Sequence, residues 1–202
     1  MKFPELKIEN FKLKEACPAK LERSKMRSGG FTILESIIAI FILSLSISGV
    51  FSSVQQSLSQ ATIAKDETKA FYLAEEAMEI LRNKRDANQL ARILNSSTNT
   101  WLFGIAEGVG DPCYFGNVCR VDAVTASFVR CGVGWNSCSN LRQNSSTFLY
   151  GYDGSWPATN FKREVILESI SATEVAVTVR ITWTKGLINR EFKAKTHLFN
   201  WI

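Results

Sequence analysis

The chain has 202 residues and a formal net charge of +5, but the excess positive charge is confined to its beginning. Residues 1–30 contain eight Lys/Arg and four Glu, which makes +4, whereas the remainder, with 16 basic and 15 acidic residues, is close to neutral. The alkaline pI of about 9.0 therefore gives no support for nucleic-acid binding. The length allows one modest folded domain beside a membrane segment.

An apolar segment follows the basic stretch. Residues 31–51 contain a single charged side chain, Glu35. As a helix rising about 1.5 Å per residue, the segment reaches roughly 30 Å, the hydrocarbon thickness of a bilayer. The basic flank predicts that the N-terminus stays in the cytoplasm and that everything after Phe51 lies outside. A secretory signal is disfavoured because the small pair Gly29-Gly30 precedes the apolar run, and a lipoprotein signal at Cys17 because no apolar stretch comes before it.

The junction between these two stretches resembles a known processing signal. Gly30-Phe31-Thr32-Ile33-Leu34-Glu35-Ser36, followed by the apolar run, is similar to the class III signal of type IV pilins and type II secretion pseudopilins. Two further segments, 70–82 and 196–201, resemble minor pilins of the PilV and pseudopilin type. The resemblance implies a pilin fold. It also implies that a prepilin peptidase cuts between Gly30 and Phe31 and N-methylates Phe31.

The resemblance further implies a location and partners. The leader, residues 1–30, is discarded, and the mature chain is a single-pass protein of the bacterial cytoplasmic membrane with its C-terminal domain outside. From there it enters a pilus or pseudopilus. Its partners are then the prepilin peptidase, membrane lipid before assembly, the inner-membrane assembly platform and other pilin subunits. The sequence leaves open whether the system is a type IV pilus, a secretion pseudopilus or a competence pilus.

Glu35 is the assembly residue in this interpretation. A carboxylate in the first turns of a membrane helix is costly to bury and needs a partner. Cleavage would create an ammonium at Phe31, and opposite charges attract strongly at low dielectric, although desolvation offsets much of the gain. The resemblance implies that Glu35 receives the Phe31 amine of a neighbouring subunit and so sets the register of assembly. The alternative is that Glu35 snorkels to the membrane interface near the helix end.

A single long helix is predicted to continue beyond the membrane, because one glycine and no proline separate Phe31 from Phe103. It divides into a transmembrane and assembly part, 31–55, and an amphipathic part, 56–95, which frays in the polar run 95–100. The stripe predicted to face a sheet consists of Phe71, Ala74, Ala77, Met78 and Leu81. The charged residues, Glu76 among them, take the other positions, and the neighbours Glu75, Glu79 and Arg82 are interpreted as solvated.

The C-terminal part, residues 161–202, is predicted to form an antiparallel sheet. Its clearest strand alternates with a period of two, and the apolar positions are Val175, Val177, Val179, Ile181 and Trp183. Lys185-Gly186 predicts a turn, Asn189 to Phe199 a returning strand, and Phe161 to Ser169 a preceding one. The fold class expected is therefore α+β, a long N-terminal helix packed on a C-terminal antiparallel sheet.

The middle of the chain, residues 96–160, is rich in glycine and holds four cysteines. Since this region is expected outside the cytoplasmic membrane, an even count favours two disulfides. Three pairings are possible, and Cys113 with Cys119 and Cys131 with Cys138 is favoured because each bond would close a local loop or hairpin. A zinc site is the rival, but its ligand pairs are normally closer in sequence.

The search for chemistry finds no catalytic residue, cofactor site or metal site, so an enzyme is not expected. His197 is the sole histidine and lies on a predicted strand without a partner for a triad, so it is interpreted as a surface residue. The segment Tyr150 to Trp156 places aromatic residues around an Asp-Gly turn. Anchoring of a loop by these aromatics is the first interpretation, and a calcium or glycan contact is the second.

Two functions of different classes remain. The first is a structural subunit, of the minor type, in a type IV pilus or pseudopilus, processed at Gly30-Phe31 and assembled through its N-terminal helix. The second is an uncleaved, signal-anchored extracytoplasmic module for binding or adhesion, in which residues 31–51 are a permanent anchor. The state of the N-terminus in the mature protein separates the two.

Overall fold

The computed structural model describes residues 30–94 and 98–201 of the chain. Residues 1–29 of the proposed leader, and positions 95–97 of the polar run where the helix was expected to fray, lie outside the described residues. One long helix is followed by seven described strands. The elements are α1 (Ile33–Ile93), β1 (Asn117–Asp122), β2 (Ser127–Val133), β3 (Asn140–Gln143), β4 (Tyr150–Gly151), β5 (Ala158–Ser171), β6 (Glu174–Lys185) and β7 (Ile188–Phe199).

The long helix is continuous over 61 residues, as predicted from the absence of proline. The chain divides into two units between Ser52 and Ser53, and α1 passes through this division without a break. In the first unit none of the described residues is buried. In the second unit the helix packs against an antiparallel sheet, so the α+β class is confirmed.

The sheet is built around β5, and every strand pair is antiparallel. One edge of β5 pairs with β6, which in turn pairs with β7 along its whole length. The other edge is shared, since Val165 and Ile166 pair with β1 and Lys162 pairs with β3. β2 and β4 extend the sheet beyond β1 and β3. The three predicted C-terminal strands are confirmed; β5 is five residues longer than expected and β7 only one, and β1 to β4 add strands within the glycine-rich middle.

The core lies between the second half of α1 and one face of the sheet. The alternating residues Val175, Val177, Val179, Ile181 and Trp183 are all buried there. The helix contributes a stripe of small and large apolar side chains, which are Ala70, Leu73, Ala74, Ala77, Met78 and Leu81. Such a stripe at three- and four-residue spacing is what a helix needs to lie on a sheet.

The predicted stripe was wrong at Phe71. This side chain is about half exposed, and its ring meets that of Phe192 edge-on at 6.0 Å. Ala70 and Leu73 occupy the core instead. Small residues at 70, 74 and 77 allow close approach of helix and sheet, and a position one residue further round the helix falls at the margin of that contact.

Candidate functional site

The proposed processing bond lies immediately before the helix. Gly30, Phe31 and Thr32 have no regular secondary structure, and all three are exposed. The helix begins at Ile33, and Glu35 is the acidic residue of its first turn. The structure therefore places the predicted processing residues and the predicted assembly residue within one short, accessible stretch.

The start of the helix contains a capping interaction that the sequence analysis missed. The backbone N–H of Glu35 donates to Oγ1 of Thr32 at 3.2 Å, which satisfies one of the amide groups left free at a helix N-terminus. Thr32 and Glu35 have the spacing of a capping box, Thr-x-x-Glu, a signal that was present in the sequence. A carboxylate in the first turn also interacts favourably with the helix dipole. Glu35 thus has a local role that does not require a neighbouring subunit.

The helix is long and apolar enough to cross a membrane. Its most apolar window of 18 residues has a mean hydropathy of 2.3, and none of that window is buried. Its serines are satisfied within the helix, since the hydroxyls of Ser44, Ser46 and Ser48 donate to the carbonyls four residues earlier at 2.8, 2.9 and 2.8 Å. Such bonds reduce the cost of placing a hydroxyl in hydrocarbon.

The four cysteines of the domain form two disulfides. Cys113 is bonded to Cys119 and Cys131 to Cys138, which is the pairing favoured from the sequence. The zinc alternative is contradicted, because thiolates are needed as ligands and these sulfurs are oxidised. Cys17, in the proposed leader, lies outside the described residues.

The two disulfides hold different parts of the domain. Cys113 and Cys119 are fully buried and belong to the core that includes α1. The second disulfide holds the connection between β2 and β3, where the backbone N–H of Cys138 donates to Oε1 of the buried Glu164 at 3.1 Å. The first therefore reinforces the helix–sheet core, and the second secures a loop over the opposite face of the sheet.

A buried arginine ties the helix to the sheet. Arg163 on β5 is fully buried, and its guanidinium donates to the carbonyls of Leu73 and Val121 at 3.0 and 2.7 Å. It also forms an ion pair with Glu76, whose side chain is 39% exposed. The spacing of apolar residues had predicted Glu76 on the outer face of the helix. Its partner is 87 residues away, and no local pattern indicates such a pair.

A second buried ion pair lies on the sheet face turned away from α1. Glu164 accepts a hydrogen bond from Arg180 at 2.9 Å, and Asn136 accepts another from the same nitrogen at 2.6 Å. The guanidinium of Arg180 also lies over the ring of Trp135, 4.6 Å from its centroid. Both faces of β6 are therefore covered at this point, one by the helix and the other by the disulfide-closed loop.

A polar groove of about 470 Å³ adjoins this pair. Its walls include residues of β5, β6, β7 and the loop before β3, among them Asn136, Asn140, Asn160, Lys162, Arg180 and Thr182. Several of the amides are engaged already, since Asn140 and Asn160 donate to the carbonyls of Thr159 and Thr184 at 3.1 and 2.9 Å. The groove offers hydrogen-bonding groups and charged side chains, three basic and one acidic, beside apolar surface.

The segment Tyr150 to Trp156 anchors a loop, as the first interpretation proposed. Arg120 lies 4.5 Å from the ring centroid of Tyr152, and burial raises the pKa of this tyrosine. At Gly151 an added Cβ would lie 3.1 Å from the ring of Trp156, closer than ordinary van der Waals contact, so the ring packs tightly on the backbone there. Asp153 accepts hydrogen bonds from the backbone N–H and the hydroxyl of Ser155, both at 2.8 Å, and these lower its pKa.

The remaining candidates for chemistry in the described part of the chain are metal-ligating side chains and His197. No group of three or more His, Cys, Asp and Glu side chains is placed there to hold a metal ion. His197 lies on the surface of β7, and its Nδ1 is 2.6 Å from Oε1 of Glu174. The partially exposed position of both side chains fits a cross-strand surface pair.

Comparison with known proteins finds no matching family model, no matching curated protein and no matching solved structure.

Proposed function

We propose that this chain is a structural subunit, of the minor type, in a bacterial type IV pilus or pseudopilus. In this proposal a prepilin peptidase hydrolyses the bond between Gly30 and Phe31 and methylates the new amine of Phe31. The first part of α1 anchors the subunit in the cytoplasmic membrane and later packs among the helices of other subunits. Enzymatic activity forms no part of the proposal.

The observation that carries the proposal is the continuity of α1. A helix that starts three residues after Gly30 first exposes an apolar surface and then buries a stripe in its own domain. Large exposed apolar side chains need a partner outside the chain. Lipid provides that partner before assembly, and the apolar helices of neighbouring subunits provide it afterwards.

Glu35 acquires a second partner in this proposal. Hydrolysis leaves a positive amine on Phe31, a residue outside the helix whose side chain is exposed. Within one subunit Glu35 already lies in the capped first turn, with its own N–H bonded to Thr32. A carboxylate there can accept the amine of a neighbouring subunit, and a single such contact at one axial height would fix the register of packing.

Processing is tested by the mass of the mature protein from native membranes. The wild-type chain is expected to begin at N-methylated Phe31, and Gly30→Val is expected to retain residues 1–30 because the peptidase needs a small residue at the cut. Gly29→Ala, one position earlier, is the matched control and is expected to be processed. Wild-type protein carrying an intact residue 1 would overturn the proposal.

Assembly is tested by two substitutions at one position. Glu35→Ala removes the whole carboxylate, whereas Glu35→Gln keeps a side chain of the same size and removes only the charge; neither change removes the backbone N–H that donates to Thr32. Both variants are expected to be processed and inserted in the membrane but absent from sheared filaments. If Glu35→Gln enters filaments as well as wild type does, the charge pairing between subunits is wrong.

The polar groove favours a second candidate, the permanently anchored extracytoplasmic binding module. Amide and cationic groups around about 470 Å³ are suited to a polar ligand such as a glycan. In this case residue 1 would persist in the mature protein. The substitution Thr182→Trp fills the groove, so it would abolish binding to cells or surfaces while leaving membrane insertion unchanged. Loss of the leader together with unchanged binding by Thr182→Trp would exclude it.

A further inference from the structure

Four large apolar side chains are exposed on two separate loops of the folded domain. Phe148 and Leu149 lie between β3 and β4, and Leu187 and Ile188 lie at the turn between β6 and β7. Leu187 is fully exposed and Phe148 is 70% exposed. Exposed single apolar residues are common, but large ones gathered at one place indicate a surface that meets another apolar phase.

Contacts of the β6–β7 hairpin with α1 show where the turn with Leu187 and Ile188 lies. Lys185, the last residue of β6, donates to the carbonyl of Ser59 at 3.4 Å, and Arg190 near the start of β7 meets Glu67 at 3.4 Å. At the other end of β7 the carbonyl of Phe199 accepts from Arg85 at 3.2 Å. β7 therefore runs in the same direction as α1. The turn with Leu187, at the start of β7, lies beside the first residues of the folded unit.

Strand register brings the second loop to the same end of the sheet. Arg142 of β3 pairs with Ala158 at the start of β5. Three residues further along β5, Phe161 pairs with Trp183 near the end of β6. β3 therefore runs toward the end of the sheet at which β6 finishes. Partial burial, with a smaller contribution from the negative charge of Asp66 on the helix, raises the pKa of Tyr150, which follows this loop directly.

The helix adds exposed apolar side chains at this end. Val54 and Leu58 lie among the first residues of the folded unit, which begins at Ser53, and both are more than half exposed. In sequence Ser53 follows almost directly on the apolar segment 31–51. We name the six residues Val54, Leu58, Phe148, Leu149, Leu187 and Ile188 the apolar rim.

The loop holding Phe148 is fixed in a conformation that is unfavourable for this residue. Phe148 has a φ of 60°, in the left-handed region that residues with a side chain avoid. Asn144 maintains it, since its side chain accepts from the N–H of Ser146 and Thr147 at 2.8 and 3.0 Å and its carbonyl accepts from the N–H of Phe148 at 2.9 Å. A strained, tightly bonded loop presents an apolar ring to the exterior, which suggests a use for the ring.

We propose that the apolar rim docks on the outer lipid surface of the membrane before the subunit is assembled. Val54 and Leu58 of the rim follow the apolar segment 31–51 within a few residues of the chain, so the connection to that segment keeps this part of the domain near the bilayer. Aromatic and aliphatic side chains insert readily at the headgroup boundary, and Lys185 beside Leu187 complements anionic headgroups. Docking would hold the domain at one height on the membrane, ready for transfer into a filament.

This inference rests on the membrane anchoring within the proposed function, and the experiment separates the two. The full chain with Cys17→Ser is reconstituted in vesicles of phosphatidylethanolamine and phosphatidylglycerol. A single new cysteine carries an environment-sensitive fluorophore at Leu187→Cys, at Leu45→Cys in the proposed span, or at Ile170→Cys. Ile170, about half exposed, lies beside the turn between β5 and β6 at the opposite end of the sheet, so it is a matched control.

The expected result is strong quenching of the label at position 187 by lipids with a nitroxide near the headgroup, several-fold greater than at position 170. The label at position 45 should be quenched by deeply placed nitroxides. If 45 is quenched and 187 behaves as 170 does, docking is overturned and the anchoring stands. If 45 is not quenched, the span itself fails. The fluorescence of the label at 187 could instead change when the protein is diluted but not when lipid nitroxides are added. The rim would then contact a second copy of the chain, and docking on lipid would be overturned.

Discussion

The two halves of α1 meet their surroundings in opposite ways. From Ile33 to Ser52 every described residue is exposed, and the serine hydroxyls bond to the helix's own backbone. From Ser53 onward the helix buries an apolar stripe and receives polar contacts from the sheet, such as Arg163 to the carbonyl of Leu73. The first half leaves its large apolar side chains exposed, whereas the second packs an apolar stripe within its own domain.

The two halves of α1 therefore differ in what stabilises them. The second half is held by tertiary packing, so changes to its buried face should appear in the unfolding of the domain. The first half has no such packing, so equivalent changes should appear only in membrane or subunit contacts. Pairs of matched substitutions, one in each setting, separate these cases.

The largest effect is expected for the ion pair that the second half makes with the sheet. Glu76→Ala leaves the fully buried guanidinium of Arg163 without a counter-charge and should lower the free energy of unfolding by about 3–5 kcal/mol. Glu75→Ala, at the exposed neighbouring position, should change it by less than about 0.5 kcal/mol. Urea titration of the full chain in detergent, followed by tryptophan fluorescence, measures both. Equal effects of the two substitutions would mean that the ion pair between Glu76 and Arg163 contributes nothing to the free energy of unfolding.

The next effect compares the same substitution in the two halves. Leu81 is fully buried, so Leu81→Ala should cost about 3 kcal/mol through lost burial and the cavity that remains. Leu45 is mostly exposed, so Leu45→Ala should leave domain unfolding unchanged. The same urea titration applies. A comparable loss for Leu45→Ala would show that the first half is packed against the domain after all.

The fold was predictable where its determinants are local. The absence of proline indicated a continuous helix, and the period of two at Val175 to Trp183 indicated β6 and the face it buries. β1 to β4 were not resolved from the sequence, because short strands separated by glycines carry too few alternating residues to show a period. Phe71 was misplaced because the spacing of apolar residues does not show which of them lie at the edge of the buried stripe.

The candidate site was predictable in its residues but not in its contacts. The junction Gly30-Phe31 and the acid Glu35 stood out against an apolar background. The bond from Glu35 to Thr32 was also visible as Thr-x-x-Glu but was overlooked beside the charge argument. The pair Glu76 and Arg163 could not be found in this way, since contacts across 87 residues depend on how the helix lies on the sheet.

A smaller effect is expected at the helix start. Thr32→Val removes the acceptor for the N–H of Glu35 and should destabilise the first turn by about 1 kcal/mol, a roughly fivefold faster amide exchange at Glu35. Thr62→Val is the control, because the Thr62 hydroxyl only donates back to the carbonyl of Leu58 at 2.7 Å in mid-helix. Exchange measured on the full chain in micelles should change for the first variant alone. Unchanged exchange at Glu35 would remove capping from the roles of this turn.

The smallest effect is expected within the apolar half. The hydroxyl of Ser46 bonds to the carbonyl of Ile42 at 2.9 Å, so Ser46→Ala removes a group that was already satisfied and should leave carbonate-resistant membrane retention unchanged. Ser46→Asp, in contrast, places a charge in the span at about 2.5–3.5 kcal/mol and should reduce retention. Incorporation into filaments is then the informative readout for Ser46→Ala. Normal membrane retention with lost incorporation into filaments would show that the Ser46 hydroxyl donates to a neighbouring subunit. The apolar half of α1 would then make a polar contact between subunits in place of the bond within its own helix.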